Sequence, residues 1–205
     1  MKYDPKISPR MFKSDFIEWF SHIHPATPIV FWLPVIVVVL YNSFMTFGVG
    51  LVLLQWISGI FLWTLTEYSL HRWIFHYEPR TNWGKRLHFL MHGVHHDYPR
   101  DPTRLVMPLA ISIPLGILFY SIFWFVAPLH HFGLFAGFAF GYLSYDMIHY
   151  ASHHFVMTGR VGRFIKMYHM RHHFNDSHTG YGVSSPLWDI VFRTMPTKNT
   201  VQNKQ

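Results

Sequence analysis

The sequence predicts an all-α integral membrane protein, with four transmembrane helices and a cytoplasmic helical cap holding a histidine-rich dimetal site. Three observations carry this reading. Only 13% of the 205 residues are charged, against about a quarter in an ordinary globular domain. No Asp, Glu, Lys or Arg occurs across residues 19–66 or 105–145. Most of the 17 histidines are clustered, and four clusters combine metal-ligand spacing with a place at one end of the apolar stretches.

A helical span needs about 20 apolar residues, so each uncharged stretch accommodates two spans and a turn. The expected spans are residues 29–44, 46–66, 105–126 and 132–148, with turns at Asn42-Ser43 and at residues 128–133. Pro34 lies in the first, which extends back toward Ala26 or tilts. Residues 1–28 read as an interfacial segment. There Phe12, Phe16, Trp19, Phe20 and Ile23 recur at helical spacing around Lys13, Ser14 and Glu18, as in a helix lying on the bilayer or packed on the cap. Residues 67–104 and 149–195 form the cap, onto which the segment after Pro186 packs back. Residues 196–205 are a polar tail. Residues 1–205 make one domain. Two buried hairpins of a soluble protein would need too large an apolar core for so short a chain.

Charge orients the spans. Lys2, Lys6, Arg10 and Lys13 precede the first. Arg72, Arg80, Lys85, Arg86, Arg100 and Arg104 separate the second from the third. Arg160, Arg163, Lys166, Arg171, Arg193, Lys198 and Lys204 follow the fourth. The positive-inside rule puts both termini and the central loop in the cytoplasm. The net charge of +7 follows from this asymmetry and suits anionic lipid headgroups, so no nucleic-acid partner is expected. The absence of cysteine excludes disulfides, thiolate nucleophiles and iron–sulfur clusters. The opening MKYDPKISPR lacks the apolar core of a cleaved signal peptide. Asn175-Asp176-Ser177 matches a glycosylation sequon on the cytoplasmic side, where it has no role.

Neutral imidazole is the commonest metal-binding side chain. Residues three and four apart share a helix face, and His92, His95 and His96 have that spacing, as do His169, His172 and His173. His149 and His153 are one turn apart. His71 and His76 are five apart, roughly 140° from each other on a straight helix; they straddle the site, serve different metals, or sit where the helix unwinds. Ten imidazoles exceed what one ion takes. Two six-coordinate metals with five each would keep one open position apiece. Zinc does no redox chemistry, so iron suits a reactive pair, although the Irving–Williams order lets zinc occupy the site in a purified sample. His88 and His154 adjoin the boxes and read as supporting groups, while Asp97 and Asp146 read equally as carboxylates that accept from ligand rings or as a helix cap or surface charge. His130 and His131 fall across the bilayer, His22 and His24 at headgroup level, and His178 in a loop.

These boxes, in this order, resemble the fatty acid hydroxylase superfamily of membrane di-iron enzymes, and in particular its fatty acid 2-hydroxylase branch. The matching stretches are HRWIFH at 71–76, HFLMHGVHHDYPRDPTRLVMP at 88–108, YDMIHYASHH at 145–154, HMRHHF at 169–174 and GYGVSSPLWDIVF at 180–192. The RLVMP run is the most specific, since metal binding does not require it. The resemblance implies the same ten ligands: His71, His76, His92, His95, His96, His149, His153, His169, His172 and His173. It implies two iron ions, O2 as co-substrate, and hydroxylation of carbon 2 of a fatty acyl chain, free or in a ceramide-like lipid; the tail would lie in an apolar channel, and Gly180 and Gly182 either shape that channel or are turn glycines. No cytochrome b5 domain is apparent, so the resemblance implies a separate electron donor such as a cytochrome b5, ferredoxin or reductase. The compact form favours a bacterial inner membrane over the endoplasmic reticulum.

Two alternatives stay open at this point. A sterol or carotenoid hydroxylase or desaturase of the same superfamily would also act near the interface. A non-catalytic metal-binding or metal-transport protein would place ligands near the bilayer midplane or show no turnover.

Overall fold

The computed structural model describes residues 8–196, and among them every regular element is helical. Three helices are long and apolar enough to cross a membrane: α2 (Thr27–Thr46), α3 (Val49–Ser69, continuing to Phe75) and α6 (Leu109–Val126). Their outward faces carry exposed Val30, Val38, Leu54, Ile57, Ile117 and Phe125, which suit lipid rather than water. Helix α7 (His131–His154) is longer but more polar. It packs against α2, α3 and α6 and buries Phe135, Phe138, Tyr142 and Tyr145 around Trp32 and Trp63. A helix surrounded in this way need not be apolar on its own account, because its neighbours meet the lipid.

Small residues let α3 and α7 meet backbone to backbone. A Cβ added at Gly137 would lie 2.0 Å from Trp56 O, and one at Gly59 would lie 2.1 Å from Leu134 O. Close approach of this kind supplies the dispersion contacts that hold helices together in lipid.

The first turn differs from the sequence expectation. Helix α2 runs through Asn42 and Ser43 and stops at Thr46, so the break falls at Phe47-Gly48. Ser43 is buried in a polar brace, donating to Gln55 Oε1 at 2.7 Å, while Gln55 Nε2 meets His130 Nδ1 at 2.9 Å. Two adjacent polar residues read as a turn in sequence, but here Ser43 is satisfied by the neighbouring helix and exposed Asn42 donates to Val38 O of its own helix at 2.8 Å. The span expected from residue 105 begins at Leu109, because residues 105–108 lack helical hydrogen bonding and lead in through Pro108.

The remaining elements gather at one end of the bundle. They are α4 (Asn82–His88), α5 (Val94–Asp97), α8 (Gly159–Phe174) and α9 (Leu187–Val191). The N-terminal helix α1 (Asp15–Phe20) and the residues after it are tied to the segment that precedes α6. Phe16 and Trp19 are exposed, whereas Glu18 accepts from Arg104 Nη2 at 2.5 Å and Ile23 N–H donates to Thr103 O at 2.8 Å. Ile23 follows the helix. The expected tail from residue 197 onward lies outside the described residues.

Candidate metal centre

The helices leading into the centre widen where histidines must converge. Helix α3 ends in a π-helical turn, Leu70–Phe75, and α4 runs into another, Phe89–Gly93, before α5. His76 N–H donates to His71 O at 3.2 Å, an i→i+5 bond. That wider turn cancels the angular offset a straight α-helix would impose on residues five apart, and π-turns of this kind recur at functional sites. Of the three arrangements open in the sequence for His71 and His76, the unwound helix is the one observed.

The ten sequence-predicted histidines fall into two groups of five. His71, His76, His92, His96 and His172 form one; His95, His149, His153, His169 and His173 form the other. Within each, one nitrogen per ring lies within 4.8 Å of all the others. In the first group His71 Nε2 and His92 Nε2 are 3.2 Å apart, His96 and His92 2.9 Å, and His172 and His76 3.0 Å. In the second, His149 and His95 are 2.9 Å apart and His153 and His169 2.8 Å. Residues i, i+3 and i+4 share a helix face, yet His95 joins a different group from His92 and His96. The HxxHH box therefore sits between the groups, as does its counterpart on α8, where His172 and His173 part company.

Burial sets the charge state. His92, His95 and His169 are pushed well below the ordinary imidazole range, chiefly by loss of water and then by repulsion from neighbouring imidazoles. The same causes bring His76 to about 2 and His96 to about 3. The rings are thus neutral near pH 7, the form that binds metals. His71 and His172 spend their one N–H on backbone carbonyls through Nδ1, so each turns an Nε2 lone pair toward the focus of the group. A cation at the focus of each group accepts such lone pairs, so the donor set fits one metal ion per group. All-nitrogen imidazole sites suit zinc, copper, iron or nickel.

The supporting groups differ from the expected carboxylates. Asp97 is exposed, and Asp146 accepts from Met107 N–H and Tyr142 O–H at 3.3 and 3.5 Å rather than from a ligand ring. Backbone carbonyls take that role instead. Tyr181 O faces His71 Nδ1 at 2.5 Å and Thr179 O faces His172 Nδ1 at 2.8 Å. Carbonyls carry no side-chain signature, so spacing could not reveal them. His88 and His154 belong to neither group, and each has a buried Nε2 without a partner among the described residues. His130 and His131 stand at the other end of α7 from His149 and His153, about 27 Å away at 1.5 Å per residue.

A groove of about 400 Å³ reaches the centre from the side of α1. Phe12, Ile17, Phe20, Leu90, Ala110 and Ile111 line it, and at its inner end lie His92, His95 and His149. His92 belongs to one group and the other two to the second, so the groove ends where the groups meet. Gly180 and Gly182 are not among its lining residues. Gly180 adopts φ +72°, a turn conformation that glycine adopts without strain.

A family model described as fatty acid hydroxylase matches residues 56–194. A dihydroceramide fatty acyl 2-hydroxylase of Arabidopsis thaliana is 39% identical over 98% of this chain and 85% of its own length. A ceramide very long chain fatty acid hydroxylase of Saccharomyces cerevisiae is 40% identical over 80% of this chain and 44% of its own. The fatty acid 2-hydroxylase of Homo sapiens is 35% identical over 91% and 56%. A solved structure of full-length scs7p, in which only the hydroxylase domain is visible, superposes with a TM-score of 0.87 at 35% identity, covering 93% of this chain and 73% of that one.

Proposed function

The chain belongs to the fatty acid hydroxylase family, and we propose that it inserts a hydroxyl group at carbon 2 of a fatty acyl chain in a ceramide-like or related membrane lipid. The ten histidines, five and five, hold two iron ions. The observation that carries this reading is the groove, whose apolar walls end on His92, His95 and His149, where both groups can be reached at once.

A bound redox-active pair would supply the activation of O2 that attack on an acyl C–H bond requires. The overall reaction takes O2, two electrons and two protons; one oxygen atom enters the C–H bond and the other leaves as water. The electrons come from a carrier such as a cytochrome b5, ferredoxin or reductase. The chain's own residues bind and orient. Phe12, Ile17, Phe20, Leu90 and Ile111 exclude water and hold the acyl tail extended, so that only carbons near the carbonyl reach the histidines. Carbon 2 lies at headgroup depth, and so does a centre at the end of apolar helices.

Helix α7 serves as the fourth crossing, with 24 residues spanning about 36 Å. The distribution of basic residues supports a cytoplasmic histidine end, a sidedness that a bacterial inner membrane and the endoplasmic reticulum share. A transporter reading is disfavoured, since both groups gather at the ends of helices rather than at their middles. The acyl names of the relatives disfavour a sterol or carotenoid substrate.

Lipid mass spectrometry of cells with and without the chain tests the proposal. One added oxygen confined to carbon 2 of an acyl chain is the expected result. An unchanged acyl profile beside oxidised sterols or carotenoids would overturn it.

A further inference from the structure

The two histidine groups are supported differently. In the first group, one loop aims two of the five rings through Thr179 O and Tyr181 O. In the second, His169 Nδ1 and His173 Nδ1 are buried without a partner among the described residues. The loop is itself held by two buried carboxylates far apart in sequence. Asp189 accepts from Tyr181 N–H at 3.0 Å and the Thr194 hydroxyl at 2.7 Å through Oδ1, and from Gly182 N–H at 2.7 Å through Oδ2. Glu67, one turn before His71, accepts from Val183 N–H and Ser184 N–H at 2.8 Å through Oε1, and from the Ser184 hydroxyl at 2.5 Å through Oε2. The loop has no slack: a Cβ at Gly182 would lie 2.0 Å from Ser185 O.

Resting on the reading of the centre as a two-metal site, we propose that Asp189 and Glu67 are positioning residues for the first metal alone, holding the loop whose carbonyls orient His71 and His172. Their loss empties the first group and leaves the second loaded.

The hydrogen bonds distinguish the conservative variants. Both backbone groups on Asp189 are N–H donors, which cannot accept. An Asn amide turned either way sets its NH2 against one of them, so Asp189→Asn breaks the clamp. Glu67→Gln differs, because Oε1 keeps both N–H donors and the new NH2 meets a hydroxyl able to accept. It therefore rescues.

The test is anaerobic Fe(II) titration of the full chain in detergent, with metal counted by elemental mass spectrometry and helicity followed by circular dichroism. Expected counts are two for wild type and for Glu67→Gln, and one for Asp189→Asn at unchanged helicity, with affinity for the first ion reduced at least about 10-fold. Gly182→Ala, which keeps both carboxylates but sets a Cβ 2.0 Å from Ser185 O and 3.0 Å from Asp189 Oδ2, shifts the loop and also gives one. Adding His173→Ala to Asp189→Asn takes the count to none. Two ions at wild-type affinity in both Asp189→Asn and Gly182→Ala, or simultaneous loss of both ions, would overturn the inference. A wild type that binds fewer than two overturns the two-metal reading, and the inference with it.

Discussion

His96 and His173 stack with ring centroids 4.1 Å apart and planes inclined by 22°, although they belong to different groups. The two groups therefore share a wall. Rings packed in contact do not respond independently. His96→Ala should remove the first metal and weaken the second about 10-fold, and the double variant with His173→Ala should cost less than the sum of the single ones. Fe(II) titration checks this; strict additivity would show the sites uncoupled.

His95→Ala and His172→Ala each delete a ring from one group. Both should lower 2-hydroxy product at least about 100-fold, more than loss of a mere supporting group would. Membrane fractionation should show unchanged insertion, since the helical spans do not depend on either ring. Wild-type product from either variant contradicts its place in the centre.

Ala110 lines the groove and belongs to neither histidine group. Replacing it by Trp fills space the acyl tail needs, without adding charge. Turnover should fall more than about 10-fold while the metal count stays at two, as expected when a pocket is overpacked. Unchanged turnover would move the substrate path elsewhere.

Arg104 clamps the N-terminal wall of the groove. Its side chain is only 3% exposed against 14% for Glu18, and it also donates to Ser8 Oγ and Ser21 Oγ, both at 2.9 Å. The pair is only part-buried, so removing one partner costs less than the about 3–5 kcal/mol of a fully buried pair. Arg104→Met should thus speed amide exchange across residues 11–23 by about 10-fold or more, with less change in α7. Exchange at the wild-type rate would show that the clamp contributes nothing.

Acid should destabilise the metal-free chain. Burial, with repulsion between neighbouring imidazoles, holds His92, His95 and His169 well below the usual value, and places His96 at about 3. In the unfolded chain these rings titrate near about 6.5. Below that pH the unfolded state binds more protons, so the stability they confer is fully present above about 6.5 and is lost as pH falls toward 3. The thermal midpoint in detergent should drop between about pH 7 and pH 5, and less so for His92→Asn. A midpoint that rises on acidification contradicts the neutral, buried state of the rings.

Much of this architecture is legible in sequence, because lipid imposes simple rules. Two uncharged stretches announce the spans, and repeated HxxHH boxes announce the ten converging rings. Three features escape. The split of His92 and His96 from His95 depends on how helices meet, which spacing along one helix cannot supply. The π-turns at Leu70–Phe75 and Phe89–Gly93 leave no compositional trace, though the five-residue gap from His71 to His76 hints at the first. Glu67 and Asp189 look like ordinary charges in sequence, yet each is a buried acceptor for a loop more than 100 positions away in one case and beside it in the other.

The most direct test of a two-metal centre is anomalous scattering at the iron edge from crystals of the iron-loaded full chain. Two peaks are expected, one enclosed by His71, His76, His92, His96 and His172 and the other by His95, His149, His153, His169 and His173. A single peak, or density bound by histidines drawn from both sets, would contradict it.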